Sequence, residues 1–508
     1  MADAPSKTIV IGAGIGGLAV ALRLAAAGQH VTVLERHGQV GGKMRTVPSA
    51  AGPVEAGPTV MTMRPVFEEL FAAAGERLSD HVTLHPQSIL ARHWWSDGSS
   101  LDLHADAERS AAAIAEMSGP REAAAFTKMT RKARAMFEAF DAPMMQEPAP
   151  NQLALTKTVL ANPALLGAMD PLRSMAGSLA RQFRDPKLRQ LFGRYATYVG
   201  GSPFRSPALL SLIWHAEASG VWVVEGGMHK LAEAIAALIR DRGGEIVLGQ
   251  GVERLEYQDG TLRGVVCDDG TRMACDQVVF NGDPRALRTG LLGQASQNAV
   301  QDKACEPRSL SAFVWSFAAK PEGLPLVHHN VFFADTERAE FDALERGEMP
   351  TDATLYLCAQ DRGDTAQPGG HERFEIIMNG APAEGDTSQE FDTCQTQTFN
   401  RLARMGLHFD ARPGPETLTT PSDFSRLFPG SAGSLYGRSP HGLTAGLKRP
   451  LARTTIPGLY LVGGGAHPGA GIPMATLSAK HAAAAILKDR TSTSPSRRTA
   501  TRGGMSTA

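Results

Sequence analysis

Residues 8 to 36 constrain this chain more than any other segment. An aliphatic run, Thr8-Ile-Val-Ile11, leads directly into Gly12-Ala-Gly-Ile-Gly-Gly17 and an Ala/Leu-rich stretch to about Gly28. The aliphatic pattern then returns in Val31-Thr-Val-Leu-Glu35. Near-continuous aliphatic strands joined by a glycine turn and a helix form a βαβ unit with buried parallel strands. Gly12 permits the tight turn, Gly14 lets backbone approach a pyrophosphate, and Gly17 lets the helix pack closely, while the helix N-terminus offers free N–H groups to phosphates. Glu35, at the end of the second strand, places a carboxylate where ribose hydroxyls donate to it and where a 2′-phosphate would be repelled. A dinucleotide other than NADP is expected.

The chain has 508 residues, more than a single core of about 250 to 300 residues supports, so two domains are expected. With 43% hydrophobic and 20% charged residues it reads as ordinary globular protein. Fifty-one basic against 52 acidic side chains leave a formal charge of -1, and no global field favours nucleic acid. The five cysteines are widely spaced, with no CxxC pair, so neither a disulfide framework nor a zinc knuckle is expected, and a reducing compartment fits. The N-terminus lacks the basic and apolar regions of a secretory signal, and no apolar run is long enough to span a bilayer. A cytoplasmic protein, with membrane contact at most peripheral, is the expectation.

Ile89 to His104 reads as a hairpin turned at Asp97-Gly98, and two further Asp-Gly pairs, Asp259-Gly260 and Asp269-Gly270, divide residues 246 to 280 into a three-stranded meander. Residues 105 to 220 are helical by composition, 221 to 290 are mixed, and 305 to 425 are poorly patterned. Between Asn151 and Leu210 eight basic residues face only Asp170 and Asp185, interleaved with Leu and Met. Basic and apolar residues alternating on helices suit an anionic membrane surface; a core helix with a solvated basic face has the same pattern.

Beyond Glu35, Gly41-Gly42-Lys43-Met44-Arg45-Thr46 makes a second close-approach turn that resembles the extended FAD signature of two-domain flavoproteins. A Walker loop is rejected, because Gly38 precedes Gly42 by one residue too few and Met44 stands where Ser or Thr would bind Mg²⁺. Near the other end, Gly458-Leu-Tyr-Leu-Val-Gly-Gly-Gly-Ala-His-Pro-Gly-Ala-Gly-Ile-Pro-Met-Ala475 repeats strand, glycine turn and helix, with Pro473 suited to a first helical turn. That helix start would face the anionic edge of a reduced flavin. Val252, past the strand Glu245-Ile-Val-Leu248, is where such folds lend a backbone amide to adenine.

With EAGPTVMT at 55 to 62, VEGGMHKLAEAI at 224 to 235, FNGDP at 280 to 284 and LVGGGAHPGAGIPMATLSAK at 461 to 480, the chain resembles the carotenoid desaturase family of FAD enzymes, of the bacterial phytoene desaturase type. Segments 44–60, 91–106 and 191–201 are most similar to members that act on hydroxylated carotenoids. Lys43 departs from the more usual Arg, keeping charge without bidentate geometry, and Met474 replaces a small residue beside the flavin. The resemblance implies an α/β, two-domain FAD-dependent flavoprotein with a Rossmann-like FAD domain and an α+β substrate domain. The FAD domain is expected from 1–104, 221–300 and 426–488, the substrate and membrane-facing domain from 105–220 and 301–425, and a disordered tail at 489–508.

FAD contacts are expected from Gly12, Gly14, Gly17, Glu35 and Arg36, then from Gly42, Lys43, Met44 and Arg45, from Val252, and from Gly464, Gly465, Ile472, Pro473 and Met474. No metal is expected. The implied reaction is C3–C4 dehydrogenation of acyclic 1-hydroxy or 1-methoxy carotenoids, with quinone or oxygen as electron acceptor, at the cytoplasmic face of the inner (chromatophore) membrane. Hydride loss from C4, allylic to the polyene, delocalises charge and acidifies the C3 proton, so a weak base suffices and the task left to the protein is alignment. Candidate proton acceptors or hydroxyl anchors are His467, Arg45, Glu225, Tyr195 and Tyr198, with a structural role in the glycine turn the alternative for His467. Trp94, Trp95, Trp214 and Trp222 are candidates for a tunnel lining or for core packing. His81, His85, His328 and His329 read as surface histidines. A phytoene desaturase or carotenoid isomerase shares these motifs. A flavin amine oxidase would show an aromatic cage and lack the HPGAGIP run. A non-catalytic escort of prenylated proteins shares the fold, but would not need cofactor motifs at both chain ends.

Overall fold

The aliphatic strands of the first motif lie where two-sided burial requires, inside a parallel sheet. The computed structural model describes residues 6–258, 260–363, 370–385 and 390–493. The sheet runs in the order Leu459–Leu461, Gln277–Phe280, Lys7–Ile11, His30–Glu35, Glu245–Leu248, every neighbouring pair parallel. Helices Ile15–Ala26, His229–Asp241 and Ile472–Thr493 share one core with Val10, Val33 and Val279. On the other face a three-stranded antiparallel meander, Val252–Gln258, Thr261–Cys267 and Arg272–Ala274, buries Leu255 and Val265 against Ile9, Leu34 and Val278. Gly260 and Gly270 hold the positive φ of its turns, at 74° and 83°, whereas Asp259 lies outside the described residues.

A second, seven-stranded sheet has the order Leu418–Thr419, Ser311–Ala319, Glu372–Gly380, Leu355–Ala359, His329–Phe332, Ile89–Trp94, Ser100–His104. One face packs Trp315, Phe317, Phe374 and Ile376 against Phe399 and Leu402 of the helix Phe391–Arg404. The helices between Ala107 and Ala218 pack elsewhere on this sheet, around Leu101, Leu103, Val331 and Phe333.

Three placements differ from expectation. The hairpin 89–104 was expected with the cofactor-binding strands, but Ile89–Trp94 pairs in parallel with His329–Phe332 in the seven-stranded sheet. Its partner lies far along the chain, so no local pattern announces it. The poorly patterned stretch 305–425 supplies five of the seven strands. Ser311–Ala319 is buried at all but one residue, which removes the alternation that marks a half-exposed strand. Residues 489–493 continue the last helix, and Asp489 pairs with Arg453 at 2.9 Å and accepts from the Tyr460 hydroxyl at 2.8 Å. The remainder of the expected tail, 494–508, lies outside the described residues. All five cysteines are buried and unpaired. Among the described residues no helix is long and apolar enough to cross a membrane.

Candidate cofactor and substrate site

The glycine turns from both ends of the chain meet at backbone distance. Gly14 bridges Gly41, whose N–H donates to the Ala13 carbonyl at 2.8 Å. A Cβ on Gly17 would stand 2.0 Å from the Gly12 oxygen, one on Gly42 2.9 Å from Gly14 Cα, and one on Gly16 2.8 Å from Gly463 Cα. Asn281 of the FNGDP segment sits between them and donates from Nδ2 to the Gly12 carbonyl at 3.1 Å. The FNGDP segment is visible in the sequence, but nothing local reveals that Asn281 ties the turns together.

Glu35 is buried beside this turn. One carboxylate oxygen accepts from the Ala13 N–H at 2.7 Å, the other from the His37 N–H at 2.9 Å. The Gln250 N–H donates to the Glu35 carbonyl at 2.8 Å, which brings Gly251 and Val252 alongside, with Arg36 exposed next to Gly251. Lys43 donates to the Leu435 carbonyl and lies 5.4 Å from the centre of the Phe428 ring. Burial pulls its pKa down to about 8. The buried Met44 offers its carbonyl to His229 Nδ1 at 2.8 Å. Arg45 Nη2 donates to Thr419 Oγ1 at 2.6 Å while its buried Nε has no partner. Arg449 donates to the Gly464 carbonyl at 2.6 Å, and a Cβ on Gly465 would stand 2.4 Å from Pro284. Ile472, Pro473 and Met474 open the last helix immediately beyond. A backbone-lined cradle that excludes Cβ atoms, a buried carboxylate beside it and a helix start opposite fit a flavin dinucleotide.

Two of the proposed proton acceptors stand elsewhere. Glu225 is exposed and bonded to His85 at 2.9 Å, at the protein surface. His467 donates from Nε2 to the Glu147 carbonyl at 2.9 Å and stacks on His481, which donates to the Met145 carbonyl at 3.0 Å. The two rings clamp the segment 141–147 against the glycine turn. Burial pushes the His467 pKa down to about 4, so the ring is neutral at neutral pH.

A polar row crosses the face of the seven-stranded sheet opposite the helix Phe391–Arg404. Cross-strand register aligns Ser316 with Glu375, Glu375 with Cys358, and Cys358 with His329. His328 and His329, expected at the surface, are buried, and their ligand-capable atoms lie within 4.8 Å of the Cys358 sulfur and of each other. His328 Nδ1 donates to the Arg362 carbonyl, leaving Nε2 to accept from the Cys358 thiol at 3.4 Å. Burial raises the Cys358 pKa well above that of a free thiol, which keeps it a neutral donor, whereas metal ligation needs the thiolate. His329 Nδ1 is hydrogen-bonded at 2.7 Å to the Tyr356 hydroxyl, itself 2.7 Å from Thr59 Oγ1.

Both Glu375 oxygens are buried without a hydrogen-bond partner, the Gly57 N–H being near but outside bonding geometry. Burial, then the nearby Glu55, raise its pKa well above the carboxylate range despite Arg45. Glu55 accepts from the Met228 and His229 N–H groups and is pushed up to about 7 by burial. Tyr198, Tyr356 and Tyr436 are partly buried, and burial raises the pKa of each hydroxyl. Tyr195 and Tyr198 both donate to Glu217, Tyr195 at 2.7 Å. Trp94, Trp95 and Trp214 are core residues, and Trp222 packs on the helix layer of the parallel sheet.

Residues 15–487 match the family described as flavin containing amine oxidoreductase. The chain belongs to that family and is a flavin-dependent oxidoreductase. It is 54% identical to the hydroxyneurosporene desaturase of Cereibacter sphaeroides, covering 96% of this chain and 99% of that one. It is 48% identical to the hydroxyneurosporene desaturase of Rhodobacter capsulatus, over the same shares. Within the family the chain therefore stands among the carotenoid desaturases. A crystal structure of an oxidoreductase from Methanosarcina mazei superposes with a TM-score of 0.60 at 17% identity, covering 95% of this chain and all of that one, a likeness of fold.

Proposed function

We propose that the chain is an FAD-dependent carotenoid desaturase that introduces the C3–C4 double bond into acyclic 1-hydroxy or 1-methoxy carotenoids such as 1-hydroxyneurosporene, in spheroidene-type biosynthesis. The observation that carries this reading is the nearly full-length likeness, at 54% identity, to a hydroxyneurosporene desaturase. FAD, when bound, supplies the acceptor for a hydride. The amides of the Gly12–Gly17 turn would hold the pyrophosphate and Glu35 would accept from the ribose hydroxyls, and Arg36 and Val252 would hold the adenine. Gly42, Lys43, Met44 and Arg45, with Gly464, Gly465, Ile472, Pro473 and Met474, would also contact the cofactor. The partly buried Tyr198, Tyr356 and Tyr436 would contact the polyene end and hold the reacting carbon in place. Because the C3 proton is acidified by the polyene, no dedicated strong base is required, consistent with the placements of His467 and Glu225. The insoluble substrate enters from a membrane surface on which the helices between 151 and 210 rest, at the cytoplasmic face of the inner (chromatophore) membrane, and quinone or oxygen removes the electrons.

The test is anaerobic mixing of FAD-loaded protein with liposomes carrying 1-hydroxyneurosporene. Bleaching of the flavin absorbance with formation of one new conjugated double bond is expected. An oxidised flavin and unchanged carotenoid would sink the proposal.

A further inference from the structure

The helical layer between Ala107 and Ala218 contains a cationic pocket. It has a volume of about 360 Å³ and lies between the helix Pro120–Phe140, the turn at Asp170 and the helix Met175–Gln182. Four cations line it, Lys128, Lys132, Arg173 and Arg181, against the single carboxylate of Asp170. Asp170 is taken by Arg173 at 2.7 Å, and among the described residues Lys128, Lys132 and Arg181 make no ion pair. Lys128 and Lys132 are one helical turn apart, so both side chains leave the same face. A pocket with three uncompensated cations is a site for an oxyanion of the phosphate class.

The surroundings identify the source of that oxyanion. Leu166 and Leu172, neighbours in sequence of the pocket residues Gly167 and Arg173, are 40% and 94% exposed. Leu153 and Leu160, on the helix Gln152–Leu160, are 74% and 69% exposed. Among the described residues, four of the eight exposed large apolar side chains thus fall between Leu153 and Leu172, the stretch that also supplies the pocket residues Gly167 and Asp170. Exposed leucines next to a cationic pocket match a bilayer, with acyl chains below the phosphate layer. We infer that this pocket grips the phosphate of an anionic phospholipid while Leu153, Leu160, Leu166 and Leu172 enter the acyl boundary. This rests on the membrane-surface part of the proposed function and specifies its contact.

The test is flotation of the FAD-loaded full chain with vesicles of phosphatidylcholine alone or of phosphatidylglycerol and phosphatidylcholine mixed one to four. Lys128→Gln with Arg181→Gln should weaken partition to the mixed vesicles about 30-fold, since each cation near an anionic surface contributes about fivefold. Arg240→Gln with Arg263→Gln removes the same charge from the parallel-sheet domain and should change partition by less than about threefold. Leu166→Ser with Leu172→Ser should weaken binding to both vesicle types. Equal loss from the two charge-removing pairs would overturn the pocket in favour of diffuse attraction. Inorganic phosphate bound by the parent chain in calorimetry, with partition unchanged in the Lys128/Arg181 variant, would overturn the lipid as the source. Absence of flotation by the parent chain would overturn the membrane reading itself. Flotation without carotenoid turnover would leave the pocket standing and sink the desaturase reading.

Discussion

Gly17→Ala sets two physical effects against each other. Gly17 lies inside the helix Ile15–Ala26, where Ala is the better helix former by about 1 kcal/mol, so propensity alone predicts a more stable protein. The added Cβ would stand 2.0 Å from the Gly12 oxygen and 2.9 Å from Asn281 Nδ2. The helix must then move off the strand-turn backbone, at about 1 to 3 kcal/mol for overpacking or more where the obstacle is main chain. The clash wins, and it displaces the amides that would face the pyrophosphate of the proposed FAD. Gly28→Ala, just past the other end of the same helix, is the control: its φ is 75° and nothing lies within 4 Å of the new Cβ, so only the left-handed strain of about 1 kcal/mol applies. Urea unfolding with and without FAD, together with flavin content after purification, reads both effects. Gly17→Ala should be destabilised and flavin-poor, and Gly28→Ala mildly destabilised and flavin-replete. A Gly17→Ala protein as stable as its parent with full flavin would refute the close-packing argument.

Glu35→Ala removes the acceptor for the buried Ala13 N–H, a loss of about 1 to 3 kcal/mol, and should raise the dissociation constant for FAD in a fluorescence titration. Glu337 holds its proton to about 8 because of burial, then the neighbouring Glu340, against 4.5 for the free side chain. The fold therefore keeps a proton that the unfolded chain releases, and stability falls as pH rises from 4.5 to about 8, by at most about 3 kcal/mol at neutral pH. Glu337→Gln should be the more stable protein at neutral pH and lose that advantage below the free-chain value; parallel denaturation curves across pH would contradict this. His467→Gln preserves a donor for the Glu147 carbonyl and should leave the pH dependence of turnover unchanged at and above neutral pH, whereas loss of a limb of the profile would restore His467 as a proton carrier.

The glycine turns and the helices they open were legible because their information is local. Each glycine turn follows its own strand and opens its own helix, and the chemistry of Glu35 follows from its place at the end of a strand. The interior of the second sheet was not, because its polar row is assembled by register. His329 meets Cys358 and Cys358 meets Glu375 only through strand pairing, so an isolated His328-His329 looks like surface. Glu225 of the VEGG segment is exposed and paired with His85, while Glu55 of the EAGPTVMT segment accepts from the Met228 and His229 N–H groups, contacts that its own segment does not reveal. The tryptophans of 94, 95 and 214 fill cores because large aromatic side chains bury most area there, a role indistinguishable by composition from lining a tunnel.

The choice of substrate is decided by product analysis. FAD-loaded protein is incubated with a quinone and liposomes carrying either 1-hydroxyneurosporene or phytoene, and the carotenoids are separated and their spectra recorded. One added conjugated double bond, at C3–C4, is expected in the hydroxylated carotenoid, with phytoene unchanged; conversion of phytoene with the hydroxylated carotenoid left intact would overturn the substrate assignment.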